Sequence, residues 1–320
     1  MTTLNRGSVA LAATAAAAGA ATFAYGSLIE RNNYALRRYS VPVLPEGSAP
    51  IKVLHFSDIH MMPNQRRKQE WIRRLADLEP DLVIDTGDHI AHADAIPVVL
   101  DALSPLLPLP GAFVLGSNDY FEPHLKNPVK YLLKAEPKVV SARLPTEELV
   151  LGLGELGWRD LSNARGRVSV KGLEIALVGV DDPHLKYDEF DQIPGEEPGL
   201  PAPDLRLGVT HAPYTRVLDS MTRDGADMLF AGHTHGGQLA IPGYGAIITN
   251  CDLDTGRVKG LSRWWPGAAG RPSSEAPDDA AWLHVCAGLG TSPWVPVRVA
   301  ARPEASLITL IPRSYAAWRR

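Results

Sequence analysis

Six times between residues 51 and 237, a short apolar run breaks directly into side chains of metal-ligand type. Residues 51–56 lead into Ser57-Asp58-Ile59-His60, 82–84 into Asp85-Thr86-Gly87-Asp88-His89, and 112–115 into Gly116-Ser117-Asn118-Asp119. Further on, 175–180 lead into Asp181-Asp182-Pro183-His184, 205–209 into Thr210-His211, and 228–230 into Ala231-Gly232-His233-Thr234-His235-Gly236-Gly237. Runs this short, bounded by glycine and turn residues, read as buried strands. Helical patterns fall between several of them, at 68–78 (Trp71, Ile72, Leu75 and Leu78), 95–103, 128–133 and 213–221, the last opening on a proline suited to a first helical turn. Such alternation predicts βαβ units with largely parallel pairing, and parallel sheets hold their ligand sites beyond the carboxyl ends of the strands. The six polar clusters should therefore converge on one cleft.

The rest of the chain completes this outline. Residues 167–180 read as a hairpin about Lys171-Gly172. The acidic, Pro- and Gly-rich stretch 187–203 reads as a loop, as does 262–281 around two tryptophans. Late strands are expected at 281–286 and 306–311. Strands at both ends of the chain, with helices between, predict an α/β fold of two facing sheets flanked by helices.

Residues 9–29 carry no charge and are dominated by alanine. As a helix they would reach about 31 Å at ~1.5 Å per residue, enough to cross a hydrocarbon core. Arg6 precedes this segment, and Glu30, Arg31, Arg37 and Arg38 follow it. It reads as a signal anchor or export segment rather than a soluble helix, which would show a polar face. The domain division expected is 1–45, anchor and linker, followed by a single domain at 46–320. Flanking charge counts point the domain to the cytoplasm, but Arg37 and Arg38 sit in YALRRYSVPV, which reads as a first strand. The side stays open, with a lean outward.

A net charge of -4 and a pI near 6.2 lack the basic footprint of a nucleic-acid binder. Cys251 and Cys286 form no CxxC pair and no disulfide framework, and read as buried thiols.

Taken alone, Asp58-x-His60 and Gly87-Asp88 are weak signals, since such pairs are common in turns. Gly232-His233-Thr234-His235-Gly236-Gly237 is stronger, because two histidines framed by glycines after a strand suit a tight turn aiming both rings at one place. His211 follows its own strand in the same company. Mixed oxygen and nitrogen donors favour Mn, Fe or Zn over an all-oxygen calcium site, and no thiolate takes part. A carboxylate shared by two cations would keep them about 3.5–4 Å apart, as in two-metal hydrolysis.

The ordered set Asp58-x-His60, Gly87-Asp88, Gly116-Ser117-Asn118-Asp119, His211 and Gly232-His233-x-His235 resembles the calcineurin-like metallophosphoesterase superfamily. GHTHGGQLAIPGYGA, GVDDPH and AGLGTS are similar to its membrane-associated bacterial branch, which includes phosphodiesterases and lipid-sugar pyrophosphatases. The resemblance covers about residues 53–310 and is far more specific for the superfamily than for a substrate. It implies a β-sandwich flanked by helices and a pair of divalent cations (Mn, Fe or Zn). Asp58, His60 and His235 would hold the first cation, Asp88 would bridge, and His211, His233 and an asparagine would complete the second site. The implied reaction is hydrolysis of a phosphate ester by a bridging hydroxide. The expected substrate is a phosphodiester at the membrane, lipid-linked in one version, with membrane contact through the N-terminal segment and no nucleic acid. Asp85, Asp119 and Thr210 are candidates to orient the ligands.

The third cluster departs from the family's Gly-Asn-His-Asp. A rigid alignment puts Ser117 at the ligand position and Asn118 at the general-acid position. A one-residue shift of the turn makes Asn118 the ligand. In either case the usual imidazole is missing, and general-acid assistance is typically worth about 100–10,000-fold. His89, His124 and His184 are the available substitutes. The altered cluster also supports a rival reading, a non-catalytic metal-binding envelope protein. A di-iron redox enzyme has no distinctive cue in the sequence.

Overall fold

Alternation along Ile51–Phe56 (β2) decides how the first site strand is buried: Ile51 and Val53 join one apolar cluster, Leu54 and Phe56 another. A strand covered on both faces belongs in the middle of a layered α/β fold. The computed structural model describes residues 6–124, 141–155 and 157–314. The helix expected at 128–133 lies outside the described residues.

Two six-stranded sheets face each other. In the first, Ala35–Leu44 (β1), β2, Leu82–Asp85 (β3), Gly111–Phe113 (β4), Arg159–Asp160 (β5) and Glu304–Pro312 (β14) run in the order β1-β14-β2-β3-β4-β5. The second comprises Ala164–Val170 (β6), Leu173–Gly179 (β7), Leu205–Val209 (β8), Met228–Ala231 (β9), Gly260–Trp264 (β12) and Ala281–Val285 (β13), in the order β12-β13-β9-β8-β7-β6. A separate ribbon joins Ala240–Ile241 (β10) to Gly245–Ala246 (β11). Strands β2, β3 and β4 are mutually parallel, as are β7, β8, β9 and β13. All the expected polar clusters therefore leave their strands at the same end of the sandwich.

Between the sheets, Ile51, Val53, Leu82 and Ile84 meet Leu205, Leu207, Val209, Met228 and Phe230. Fully burying each such side chain stabilises the fold by about 1.5–3 kcal/mol. The outer face of the first sheet is covered by Arg66–Arg73 (α2), Ile96–Leu103 (α3) and Thr146–Gly154 (α5), through Ile72, Val99, Leu103, Leu149 and Leu153. Thr215–Arg223 (α6) covers the second sheet through Val217, Leu218 and Met221. Ser117–Tyr120 (α4) is a single turn at the site. The chain is thus a mixed α/β sandwich flanked by helices.

The hairpin about Lys171-Gly172 forms as expected, with φ of 52° and 80° at its two turn residues. Two expectations change. Strand β1 pairs in parallel with β14 from Ala35↔Glu304 onward, so the folded domain begins before residue 46. Part of the stretch read as loop, Ser262 to Trp264, belongs to β12, which pairs antiparallel with β13 and buries Trp264. Cys286 is buried, Cys251 is half-buried, and both are free thiols.

Arg6–Leu28 (α1) precedes the sheets and is apolar all round. By length and composition, the span Ala10–Asn32 could cross a membrane, and only 11% of its apolar window is covered by the rest of the chain.

Candidate metal centre

Three of the site strands, β2, β3 and β9, end in turns too tight for ordinary extended or helical backbone. Asp58, His60, Asp88, His233 and His235 have φ of 50°, 44°, 57°, 67° and 50°. This left-handed region holds only a few per cent of non-glycine residues, at a cost of about 1–3 kcal/mol each. The strain is held by the surrounding hydrogen bonds: Asp58 N–H donates to Gly87 O (2.8 Å) and His60 N–H to Asp88 O (2.9 Å), locking the first turn to the second. Gly232 allows the sheets to approach here, since a Cβ on it would lie 1.8 Å from Ser57 Oγ and 2.7 Å from Asp58 Oδ2. Gly116 does the same for the third turn, where a Cβ would lie 2.3 Å from Asp88 Oδ1.

The result is one cluster spanning both sheets. His60 Nε2 lies 3.3 Å from His235 Nε2, 3.4 Å from Asp88 Oδ2 and 3.9 Å from Asp58 Oδ1. His235 Nε2 is 3.5 Å from Asp58 Oδ1. On the other side of Asp88, His211 Nε2 lies 3.6 Å from Oδ2 and 3.3 Å from His233 Nδ1. Asn118 completes this side, its backbone N–H donating to Asp88 Oδ1 (2.8 Å) and its amide to Oδ2 (2.7 Å). All seven residues expected at the site are therefore brought together, and in the third cluster it is Asn118 that reaches Asp88.

The chemistry of these donors fits divalent cations. Asp58 Oδ1 is fully buried with no hydrogen-bond partner among the described residues, in a position facing two imidazole nitrogens. One ligand atom each from Asp58, His60 and His235 lies within 4.8 Å of the others, and the same holds for Asp58, Asp88 and His211. Burial pushes the Asp58 carboxyl up to about 6 and His60 down to about 4, and it holds His233 and His235 well below the usual imidazole range. Those three rings are thus neutral and offer lone pairs. Burial also opposes charge on Asp88 and His211, but each wins by pairing. His211, His60 and the two Asn118 hydrogen bonds hold Asp88 below the ordinary carboxylate range, while Asp88 and Asp58 raise His211 to about 9.

The supporting residues come from across the chain. Thr86 O lies 2.6 Å from His211 Nδ1, which leaves Nε2 turned to the cluster. Asp119 accepts from the backbone N–H groups of Asp88 (2.9 Å), His89 (2.7 Å), Ile90 (3.3 Å) and Gly116 (3.0 Å), which ties the second turn to the third. Asp85 and Asp119 hold His89 between them at 3.1 and 3.0 Å, and the pair raises its pKa well above the usual range despite full burial. His89 is therefore a structural cation, which removes it as a substitute acid. His124 is exposed and paired with Ser141, whereas the His184 ring packs 4.7 Å from that of His233, with Tyr214 Oη 3.1 Å from Nδ1. Thr210 bonds to Ala212 O within its own turn and orients no ligand.

Sequence reasoning missed four contributors. The Lys68 ammonium, buried in α2, donates to Ile59 O (2.6 Å) and steadies the first turn from behind. Fully buried Arg298 donates to His235 Nδ1 (3.1 Å). Asn250 O lies 3.2 Å from His233 Nε2. Asp182 is buried near His211, and burial pushes its carboxyl up to about 7. Only Asp182 stood in a quoted motif. The others lie in helix or loop sequence with no local signal.

Residues 51–237 match the sequence profile of the calcineurin-like phosphoesterase family. The chain belongs to that family. Among curated relatives of this metallophosphoesterase, the uncharacterized protein YpbG of Bacillus subtilis (strain 168) is 26% identical over 307 residues, covering 95% of this chain and 97% of the relative. Phosphodiesterase YaeI of Escherichia coli (strain K12) is 24% identical over 308 residues, covering 94% and 97%. A transmembrane protein with a metallophosphoesterase domain from Bos taurus is 26% identical over 238 residues, covering 68% of this chain and 48% of that one. Among solved structures, TT1561 of Thermus thermophilus matches with a TM-score of 0.38 at 14% identity, covering 75% of this chain and 91% of that chain.

Proposed function

We propose that this metallophosphoesterase is a membrane-attached phosphodiesterase that works with two divalent cations (Mn, Fe or Zn). Asp58, His60 and His235 would hold one cation, Asn118, His211 and His233 the other, and Asp88 would contribute to both. The observation that carries the reading is the position of Asp88, whose Oδ2 lies 3.4 Å from His60 on one side and 3.6 Å from His211 on the other. When bound, such cations lower the pKa of water and offset charge developing on phosphoryl oxygens.

The chain's own residues prepare for that chemistry. Two N–H bonds from Asn118 fix the Asp88 carboxylate, so its orientation is set before substrate arrives. Left-handed turns aim the rings, and burial keeps His60, His233 and His235 deprotonated at neutral pH. With no imidazole in the third cluster, His184 is the histidine packed against the second ligand group, its ring 4.7 Å from that of His233. The name of YaeI supports a diester preference. The apolar α1 and the bovine transmembrane relative support attachment to a membrane, with α1 as the anchor.

The test is direct. Full-length protein is assayed for metal content by mass spectrometry and for hydrolysis of bis-p-nitrophenyl phosphate and p-nitrophenyl phosphate with added Mn. Two metal equivalents, faster diester turnover and a loss of about 100-fold or more in Asp88→Asn are expected. Bound metal without turnover would instead support the non-catalytic reading that the altered third cluster favours.

A further inference from the structure

The C-terminal end of α1 is built into the domain rather than tethered to it. Gly26 O accepts from Arg298 N–H (3.3 Å), and a Cβ at Gly26 would lie 2.6 Å from Arg298 O and 2.8 Å from Val297 Cγ2. Glu30, itself buried, accepts from Ala301 N–H (2.8 Å). The same strap, residues 294–301, carries the loop that follows His233 and His235. Val299 N–H donates to Gln238 O (3.0 Å), Ala240 N–H donates to Val299 O (2.8 Å), and the Gln238 amide donates to Val295 O (2.9 Å). The loop bearing β10 and β11 therefore stands beside the point where α1 leaves the domain.

This loop and the strap turn apolar side chains outward. Leu239, Ile241, Tyr244, Ile247 and Ile248 are exposed on the first, Trp294 and Val295 on the second, with Tyr244 at 79% and Trp294 at 53%. Together with α1 and the Ile29 that follows it, these two segments hold every exposed large apolar side chain among the described residues except Leu151, Tyr187 and Leu200. Scattered apolar exposure is ordinary, but a patch gathered at one place marks a contact surface. Basic groups border it. A cavity of about 460 Å³ at the foot of α1 is lined by Lys259, Arg302 and Arg37, the last paired with Glu304 at 2.8 Å, together with Glu30, Tyr25, Pro242 and Val299. Of the ligands, His235 stands next to this loop and its side chain keeps 16% exposure, whereas those of Asp58, His60, Asp88 and His211 keep 3% or less; Asn118, across Asp88, is also half-buried.

We propose that this rim is a second membrane-contact surface. Residues 239–248 and 294–295 enter the interfacial layer of the leaflet from which α1 emerges, and the metal cleft is thereby held against the headgroups. The occupant is a lipid bilayer, because the patch is continuous with α1, the proposed anchor, mixes Trp and Tyr with aliphatic side chains, and is edged by Lys259 and Arg302, which suit anionic lipid. This deepens the proposed function and rests on its reading of α1 as the anchor. The substrate class it selects is a phosphoester within the headgroup layer.

The experiment uses the full chain in vesicles of phosphatidylcholine and phosphatidylglycerol, with and without a lipid carrying a shallow bromine quencher. Tyr244→Trp probes the rim, and Phe23→Trp, with a deep quencher, probes α1. Each is read as the emission added to the wild-type signal. At least twofold quenching of both added signals is expected, along with loss of part of the native quenching in Trp294→Phe. A quenched Phe23 site with an unquenched Tyr244 site keeps the anchor and overturns the rim. The reverse result supports the rim and removes the anchor, and no quenching at either site overturns both. An unquenched, blue-shifted Tyr244→Trp signal accompanied by a dimeric mass shows a second copy on the patch, and it also overturns the proposal.

Discussion

Replacing Asp119 by asparagine tests how the second and third turns are joined. The substitution preserves shape and removes one acceptor oxygen. In the native chain, Oδ1 accepts from His89 N–H and Ile90 N–H, while Oδ2 accepts from Asp88 N–H, Gly116 N–H and the His89 ring. Whichever way the new amide turns, its NH₂ faces at least two buried backbone N–H groups. Each unsatisfied buried group costs about 1–3 kcal/mol, and the charge on buried His89 loses one of its two carboxylates. A loss of about 3–6 kcal/mol follows, a large share of the 5–15 kcal/mol typical of a whole domain. Urea unfolding of the metal-free protein, followed by circular dichroism, measures it. The second observable is metal content, which should fall because the Asp88 turn is released. A loss below about 1 kcal/mol with unchanged metal uptake would mean that the N–H groups had found other partners and that Asp119 does not join the turns.

Three further outcomes follow from the geometry. His55 and His284 lie Nδ1 to Nδ1 at 2.7 Å between the sheets, and burial pushes His284 down to about 3 and His55 well below its usual range. Both stay neutral in the folded state while the unfolded chain takes up protons below about pH 6.5, so stability is whole above that pH and falls as pH drops from 6.5 toward 3. Between pH 6.5 and 5 the pair should contribute a loss of about 3 kcal/mol, measured as the difference in urea unfolding between wild type and a His55→Leu/His284→Leu variant, whose own fall should be smaller by that amount. Gly232→Ala places a methyl group 1.8 Å from Ser57 Oγ, so stability should drop by about 1–3 kcal/mol and metal binding should weaken, as read by thermal melting and metal analysis. Asn118→Ala should reduce diester turnover more than Ser117→Ala, because Asn118 is the residue bonded to Asp88; equal effects in steady-state assays would contradict this.

Much of the cleft was legible because its signals are local. An apolar run followed at once by Asp or His carries its strand, its direction and its ligand in one short stretch, as Ile51–Phe56 with Asp58 shows. Parallel pairing of β2, β3 and β4 then fixes where those side chains gather. What was not legible depends on distant partners. YALRRYSVPV read as a first strand, but its partner, β14 from the opposite end of the chain, left no local mark. The Ser262–Trp264 segment looked like loop because its strand character comes from pairing with β13 and from burial of Trp264 rather than from alternation. The supports Lys68, Arg298 and Asn250 carry no motif, and only packing shows that they hold His60, His235 and His233. His89 sits beside Asp88 in the sequence and looked like a reactive imidazole, yet two carboxylates hold it as a buried cation.

Anomalous X-ray scattering from crystals grown with Mn shows whether two cations share the Asp88 carboxylate. Two Mn peaks are expected, one among Asp58, His60 and His235 and one among Asn118, His211 and His233, both against the Asp88 carboxylate. A cluster that binds no Mn, or Mn peaks remote from Asp88, would contradict this arrangement.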